Sequence, residues 1–220
     1  MNLGIYCAGG FGKEIYDVAI RANQHFKKWE KIFFIDDTII SNTKIYLGIT
    51  YKFEDLHNYI NKDDFEIIIA NGEPSIRKLL FDKCKKNNFN IATLIDPSAV
   101  ISQTASIGEG SIITTHCTIA SSSIIGINVA VNVKTIIGHD ITINDHSVLS
   151  SMVNVGGNCI IGSSTYIGMG AMIKEGLIVG NDVILGMGSV LHNNLVDEVI
   201  ALGNPARPMR KNIEKKVFKS

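Results

Sequence analysis

Two hydrophobic rhythms divide the chain of 220 residues. In the first part, short apolar runs alternate with amphipathic ones. Residues 3–7 read as a buried strand, and "CAGGFGKEIYDVAIRA" turns into a helix that puts Ile15, Val18, Ala19 and Ala22 on one side. Runs at 31–37, 65–72 and 89–96 read as further strands. A short helix is expected in "KFEDLHNYI" and a longer one in "PSIRKLLFDKCKKNN", with Pro74 in its first turn. Strand and helix in alternation predict a small parallel α/β unit.

From residue 95 the period becomes six. Ile101, Ile107, Ile113, Ile119, Ile125, Val131, Ile137, Ile143, Leu149, Val155, Ile161, Ile167, Ile173, Val179, Leu185 and Leu191 are all branched aliphatics at one spacing. Two positions earlier the residue is usually small, as at Ala105, Ser111, Cys117, Ser123, Thr135, Ser147, Cys159 and Ala171. Glycine often follows the aliphatic. Neither a helix nor an alternating hairpin has this period. A parallel β-helix does, because each short strand points one aliphatic inward before the chain turns a corner, and stacked coils merge those residues into columns that no single coil can bury.

Composition narrows the function classes. Lys+Arg (21) balance Asp+Glu (21), so broad attraction to nucleic acid or acidic lipid is not expected. No apolar run is long enough for a membrane helix, and "MNLGIYCAGG" lacks the basic flank of a signal peptide, so membrane insertion is not expected and a cytoplasmic location is. Cys7, Cys84, Cys117 and Cys159 have no zinc spacing and read as reduced thiols; Cys117 and Cys159 fall in the small-residue phase as packing residues. The basic end "RPMRKNIEKKVFKS" reads as a solvated, fraying tail.

Two clusters suggest chemistry. Gly9, Gly10 and Gly12 sit where the first strand meets its helix, a place where glycines permit a tight turn and leave helix N–H groups free for a phosphate. Cys7 stands where the full dinucleotide fingerprint has its first glycine, so a purely structural turn is an equal reading. Asp36 and Asp37, at the end of the second strand, suit bonds from a sugar or base, or are ordinary surface acids. In "VNVKTIIGHDITIND", Ile137 points inward, which puts His139 at or beyond a corner. Its neighbour Asp140 can orient the imidazole and support its protonation, the needs of a general base. A lone histidine on a β-helix also reads as a surface or interface residue.

The hexads, together with "YCAGGFGKEI", "FFIDD", "IANGEPSIRK", "VNVKTIIGHD" and "ALGNPARPMR", resemble the bacterial hexapeptide-repeat sugar O- and N-acetyltransferases, a group that includes sialic acid O-acetyltransferases and nucleotide-amino-sugar N-acetyltransferases. The resemblance implies a small Rossmann-like α/β domain (residues 1–94), a left-handed parallel β-helix of hexapeptide repeats (95–194) and a C-terminal tail (195–220). It implies acetyl-CoA as acyl donor with no metal, a nucleotide-sugar acceptor, and a homotrimer with sites between subunits. His139 and Asp140 match the catalytic histidine and its acid. Gly10, Phe11, Gly12, Asp36, Asp37, Gly72 and Asn132 match acceptor-side positions, and Gly157, Met169 and Met187 match cofactor-side positions, with the Gly157 N–H facing the thioester carbonyl. Relatives often carry a second histidine nine residues after the first; this chain has Val148 there.

The expected activity is acetyl transfer to a nucleotide-linked amino sugar for surface-glycan biosynthesis, with sialic acid or other sugar O-acetylation as the alternative. A non-catalytic scaffold, a zinc enzyme resembling γ-carbonic anhydrases and a nicotinamide dehydrogenase are the rival readings. The second would need His116, His139 and His146 to converge, although their spacing does not fit an 18-residue coil. The third would need a longer N-terminal unit.

Overall fold

The computed structural model describes residues 1–61 and 64–218. Strand β1 (Asn2–Tyr6) leads into α1 (Gly10–Phe26), then β2 (Ile32–Ile35), β3 (Thr43–Ile45), β4 (Gly48–Tyr51), α2 (Leu56–Tyr59), β5 (Phe65–Ile69), α3 (Pro74–Lys86) and β6 (Asn90–Ile91). The sheet order is β3-β4-β2-β1-β5-β6, and only the β3–β4 pair is antiparallel. This is the expected α/β unit, with two differences. The β3–β4 hairpin lies outside the expected strands because runs of three and four residues carry little apolar pattern. The run 89–96 is split: β6 closes this sheet, whereas Leu94–Ile95 begins the next one.

Beyond it the chain winds through two-residue strands. All sixteen aliphatics of the six-residue series end one of these strands, and pairing joins residue i to i+18, as in Ile119–Ile137–Val155–Ile173–Leu191. Three hexads therefore make one triangular coil with three faces. The first face runs from Leu94–Ile95 to Ile184–Leu185 and is extended by Val199–Gly203 and Ala206–Lys211. The second runs from Val100–Ile101 to Val190–Leu191, and the third from Ser106–Ile107 to Ile178–Val179. The inward aliphatics form one continuous buried cluster.

The small-residue phase does more than pack. Ser111, Ser123 and Ser147 hydroxyls donate to the carbonyls of Gly126, Gly138 and Gly162, each at 2.7 Å. Thr135 and Thr165 do the same to Ser150 and Gly180. The Cys117 and Cys159 thiols point to the Asn132 and Lys174 carbonyls. These side chains staple their corners to the neighbouring coil.

The α/β unit rests on the first face, and Leu94 and Ile112 belong to its hydrophobic core. Arg77 is fully buried at the junction. Its guanidinium donates to the carbonyls of Ile69, Asn71 and Asn128 and to the Asn128 side chain, while Asn128 donates back to the Arg77 carbonyl. On the far side of the unit, Arg21 pairs with buried Asp96 at 2.7 Å.

The tail does not fray. Val199–Gly203 and Ala206–Lys211 form an antiparallel hairpin, the side chain of buried Asn212 donates to the Asp182 carbonyl, and Lys215 pairs with Asp182 and Glu198. The backbone N–H groups of Val217 and Phe218 then donate to the Glu73 carboxylate, and the Phe218 ring meets Tyr166 edge-on. Composition suggested a solvated end, but backbone N–H groups, which composition does not show, do the anchoring.

Candidate active site

The three edges of the prism separate the sequence-predicted residues. His139, Asp140 and Gly157 lie on the edge between the second and third faces, one coil apart. Asn132, Met169 and Met187 lie on the edge between the first and second faces. Gly10, Phe11, Gly12, Asp36, Asp37 and Gly72 lie past the C-terminal ends of β1, β2 and β5. One chain gathers each group but does not join all three.

His139 is exposed, and its Nδ1 meets Asp140 Oδ2 at 2.7 Å. Since a carboxylate only accepts, Nδ1 carries the hydrogen and Nε2 presents its lone pair outward. Asp140 reaches this position because its backbone takes φ +55°, a left-handed turn that swings its side chain back beside the ring. The ring lies over Gly157, where any Cβ would sit 2.6 Å from Nε2. Among the described residues the Gly157 N–H has no hydrogen-bond acceptor. An imidazole lone pair and a free N–H donor thus lie side by side, able to take a proton and to stabilise a developing negative oxygen.

On the other edge, the Asn132 side-chain oxygen is buried and has no hydrogen-bond partner among the described residues. Met169 and Met187, with Met152 on the same edge, are exposed. Helix α1 runs along this edge, where Glu14, Asp17, Val18 and Arg21 line a cleft with Thr114, Thr115 and Val133.

At the head of α1 no side chain caps the helix, and its first backbone bond is Lys13 N–H to the Gly9 carbonyl, so the N–H groups of Gly10, Phe11 and Gly12 are left open. Gly12 is obligatory for closeness, since a Cβ there would strike the Cys7 carbonyl. Cys7 adopts φ +85°, the conformation that the glycine of the fingerprint supplies without strain, and burial pushes its thiol up to about 11. Both acids of the expected acceptor pair are engaged. Asp36 accepts from the Ala8 and Thr38 N–H groups and from the Thr38 hydroxyl; Asp37 accepts from the Phe53 N–H, the Tyr6 hydroxyl and Lys83. Burial alone would raise Asp37, but those donors hold its carboxyl below the usual range. The Tyr6–Asp37–Lys83 triangle was not foreseen; its members are far apart in sequence and only the fold unites them. A Cβ added at Gly72 would meet the Phe218 ring at ordinary van der Waals distance.

The three coil histidines do not converge: His116 is on the edge of Asn132, His139 on the second edge, and His146 on the third. Among the described residues no group of three His, Cys, Asp or Glu side chains is arranged to hold a metal ion. Among them, too, no helix is long and apolar enough to cross a membrane.

Comparison with known proteins follows the same division. Residues 2–84 match the model of the PglD N-terminal domain, and residues 158–193 match that of the bacterial transferase hexapeptide (six repeats). The UDP-N-acetylbacillosamine N-acetyltransferase of Bacillus subtilis is 31% identical over 112 residues, which is 51% of this chain and 50% of that protein, so the match spans about half the length of this curated relative. The acetyltransferase domain of PglB from Neisseria gonorrhoeae is 28% identical, with a TM-score of 0.87 over 94% of this chain and 99% of that one; its complex with acetyl coenzyme A matches at a TM-score of 0.86. WeeI from Acinetobacter baumannii is 30% identical, with a TM-score of 0.87 over 95% of this chain and 100% of that one. The chain therefore belongs to the hexapeptide-repeat left-handed β-helix acetyltransferases, as a relative of the nucleotide-amino-sugar N-acetyltransferases.

Proposed function

We propose that this chain transfers the acetyl group of acetyl-CoA to the amine of a nucleotide-linked amino sugar, with His139 as general base. The observation that carries the reading is the His139–Asp140 pair, whose outward Nε2 lies beside the open Gly157 N–H. Acetyl-CoA supplies an activated thioester, so no acyl-enzyme is needed. Nε2 takes the proton from the acceptor amine as it attacks, Asp140 steadies the imidazolium, and the Gly157 N–H donates to the carbonyl oxygen as it gains charge. The tetrahedral intermediate then collapses with cleavage of the C–S bond, and the CoA thiolate leaves with the proton from the imidazolium. Cys159 is buried and stapled to a backbone carbonyl, which suits a structural part and not a nucleophile.

We assign acceptor binding to residues 1–94, with the open N–H groups of Gly10, Phe11 and Gly12 for the phosphates and Asp36, Asp37 and Gly72 around the nucleoside. We assign transfer to residues 95–194. The relatives reinforce the donor and the acceptor class: one is named for acetylating a UDP-linked amino sugar and another is known with acetyl coenzyme A. A homotrimer completes the site. The edge carrying Asn132, Met169 and Met187 is the one along which α1 lies, and a neighbouring copy would bring its His139 edge against it. The orphaned Asn132 oxygen and the exposed methionines are features such a contact and its ligands would satisfy. Unpaired cysteines, three of them buried, accord with a cytoplasmic setting.

The test is a panel of UDP-, GDP-, dTDP- and CMP-linked sugars plus free sialic acid, incubated with acetyl-CoA and read by mass. Acetylation of a nucleotide-linked amino sugar, reduced by roughly 10²–10⁴-fold in His139→Ala at unchanged oligomer mass, is the expected result. Transfer to free sialic acid alone would replace the acceptor assignment with an O-acetyltransferase. Full turnover by His139→Ala would remove the base.

A further inference from the structure

We infer that Ser123, which touches no substrate position, is the positioning residue that sets the register of His139. This rests on the reading of His139 as the base. Ser123 is wholly buried on the same edge, one coil below the histidine. Its hydroxyl donates to the Gly138 carbonyl at 2.7 Å and lies 3.4 Å from the Ile141 N–H that points to it. One oxygen thus grips both residues that flank the His139–Asp140 pair.

Backbone bonds hold this corner as well: the Gly138 N–H donates to the Val155 carbonyl and the Ile141 carbonyl accepts from the Ile124 N–H. Asp140 N–H donates to the Ser121 carbonyl, and the His139 carbonyl accepts from the Asn158 N–H. Those backbone bonds leave the Gly138 carbonyl and the Ile141 N–H to Ser123, whose single hydroxyl ties the chain where it enters the pair to where it leaves. The imidazole has little tolerance for a shift, because Nε2 already lies close over the Gly157 backbone and Nδ1 within 2.7 Å of its carboxylate. A displacement on the order of an ångström in a catalytic group can cost about a hundredfold in rate.

The repeat contains its own controls. Ser147 makes the same staple to Gly162 at 2.7 Å, with the Thr165 N–H pointing to it, but its corner carries none of the proposed site residues. Thr135 and Thr165 fill the same phase and form the same bond, so threonine fits there. Ala171 fills it too and is wholly buried, so alanine is compatible with a folded coil.

The experiment compares Ser123→Ala, Ser123→Thr, Ser147→Ala and His139→Ala by steady-state turnover and thermal midpoint. The acceptor is whichever UDP-, GDP- or dTDP-linked amino sugar turns over fastest. Ser123→Ala and Ser147→Ala should lose similar stability. Only Ser123→Ala should lose turnover, by roughly tenfold or more in kcat with the KM for acetyl-CoA unchanged, and Ser123→Thr should restore it. Normal kcat in Ser123→Ala beside an inactive His139→Ala would overturn the positioning role alone. An equal loss in Ser147→Ala would also overturn it, since any staple would then serve. An active His139→Ala would overturn the underlying base assignment instead.

Discussion

His139 is held by a carboxylate on one ring nitrogen and by the bare backbone of Gly157 under the other. That second contact gives Gly157 a reason to lack a side chain beyond its N–H. In Gly157→Ala the new methyl must displace the imidazole, so turnover should fall by about a hundredfold or more while the thermal midpoint, set by the buried columns, stays close to that of the parent. Asp140→Asn should be milder, because an amide oxygen can still accept from Nδ1 but no longer balances the imidazolium; steady-state kinetics of the two variants side by side checks the order. How much of this was legible differs by residue. Counting hexads places the histidine, its acid and the glycine one coil later at one corner; their roles are what the family resemblance implies. The hydroxyl of Ser123 does not, because serine in a small-residue phase looks like filler until the carbonyl it meets is seen.

The coil contains a second six-residue series that the sequence conceals. Every sixth residue from Gly110 to Gly188 has a left-handed backbone, with φ between 52° and 76°. The inward series was readable because burial demands one chemical type at each position. The left-handed series was not, since its ten non-glycine positions hold six kinds of side chain, including His116, Lys134 and Met152, forced into it by the corner geometry. Such residues are strained by about 1–2 kcal/mol relative to glycine, partly offset by glycine's greater freedom when unfolded. His116 is exposed and, among the described residues, its side chain has no hydrogen-bond partner, so His116→Gly should stabilise by roughly 0.5–1 kcal/mol in urea unfolding. The reverse change, Gly176→Ala at φ +74° with open space around it, should destabilise by about 1 kcal/mol from backbone strain alone.

Across the whole molecule, the junction between the two units is built from groups that ordinarily seek water. Among the described residues Arg77 has no carboxylate partner; carbonyls accept from it, and burial pulls the guanidinium down to about 9. Next to it, Asn128 meets Nδ1 of half-buried His146, whose ring lies edge-on to Phe81. Nothing in the amphipathic pattern of α3 distinguished this arginine from its solvated neighbours, and His146 gave no clue beyond its phase. Burial holds His146 below the ordinary histidine value of 6.5; Asp145 and Asp82 oppose this, and Lys78 and Arg77 reinforce it. The unfolded chain therefore takes up the proton first. The stability that the neutral ring contributes is complete above the unfolded value and is lost as pH falls from there toward the folded one. Urea midpoints at about pH 7.5 and about pH 5 should drop more for the parent than for His146→Gln, which keeps a polar side chain there and does not titrate. The stacking itself has a mechanical consequence. Strand pairing joins each coil to the coils above and below it, through residues 18 apart. Handles on Ile95 and Asn212, pulled in an optical trap, should unwind the prism like a spring losing turns, one coil at a time, in extension steps of about 60 Å. The first turns to give way should be those beyond Val155. Their predecessors have Ile112, Ala130 and Val148 buried on the first face, so the force needed should rise as the unwinding front reaches the junction.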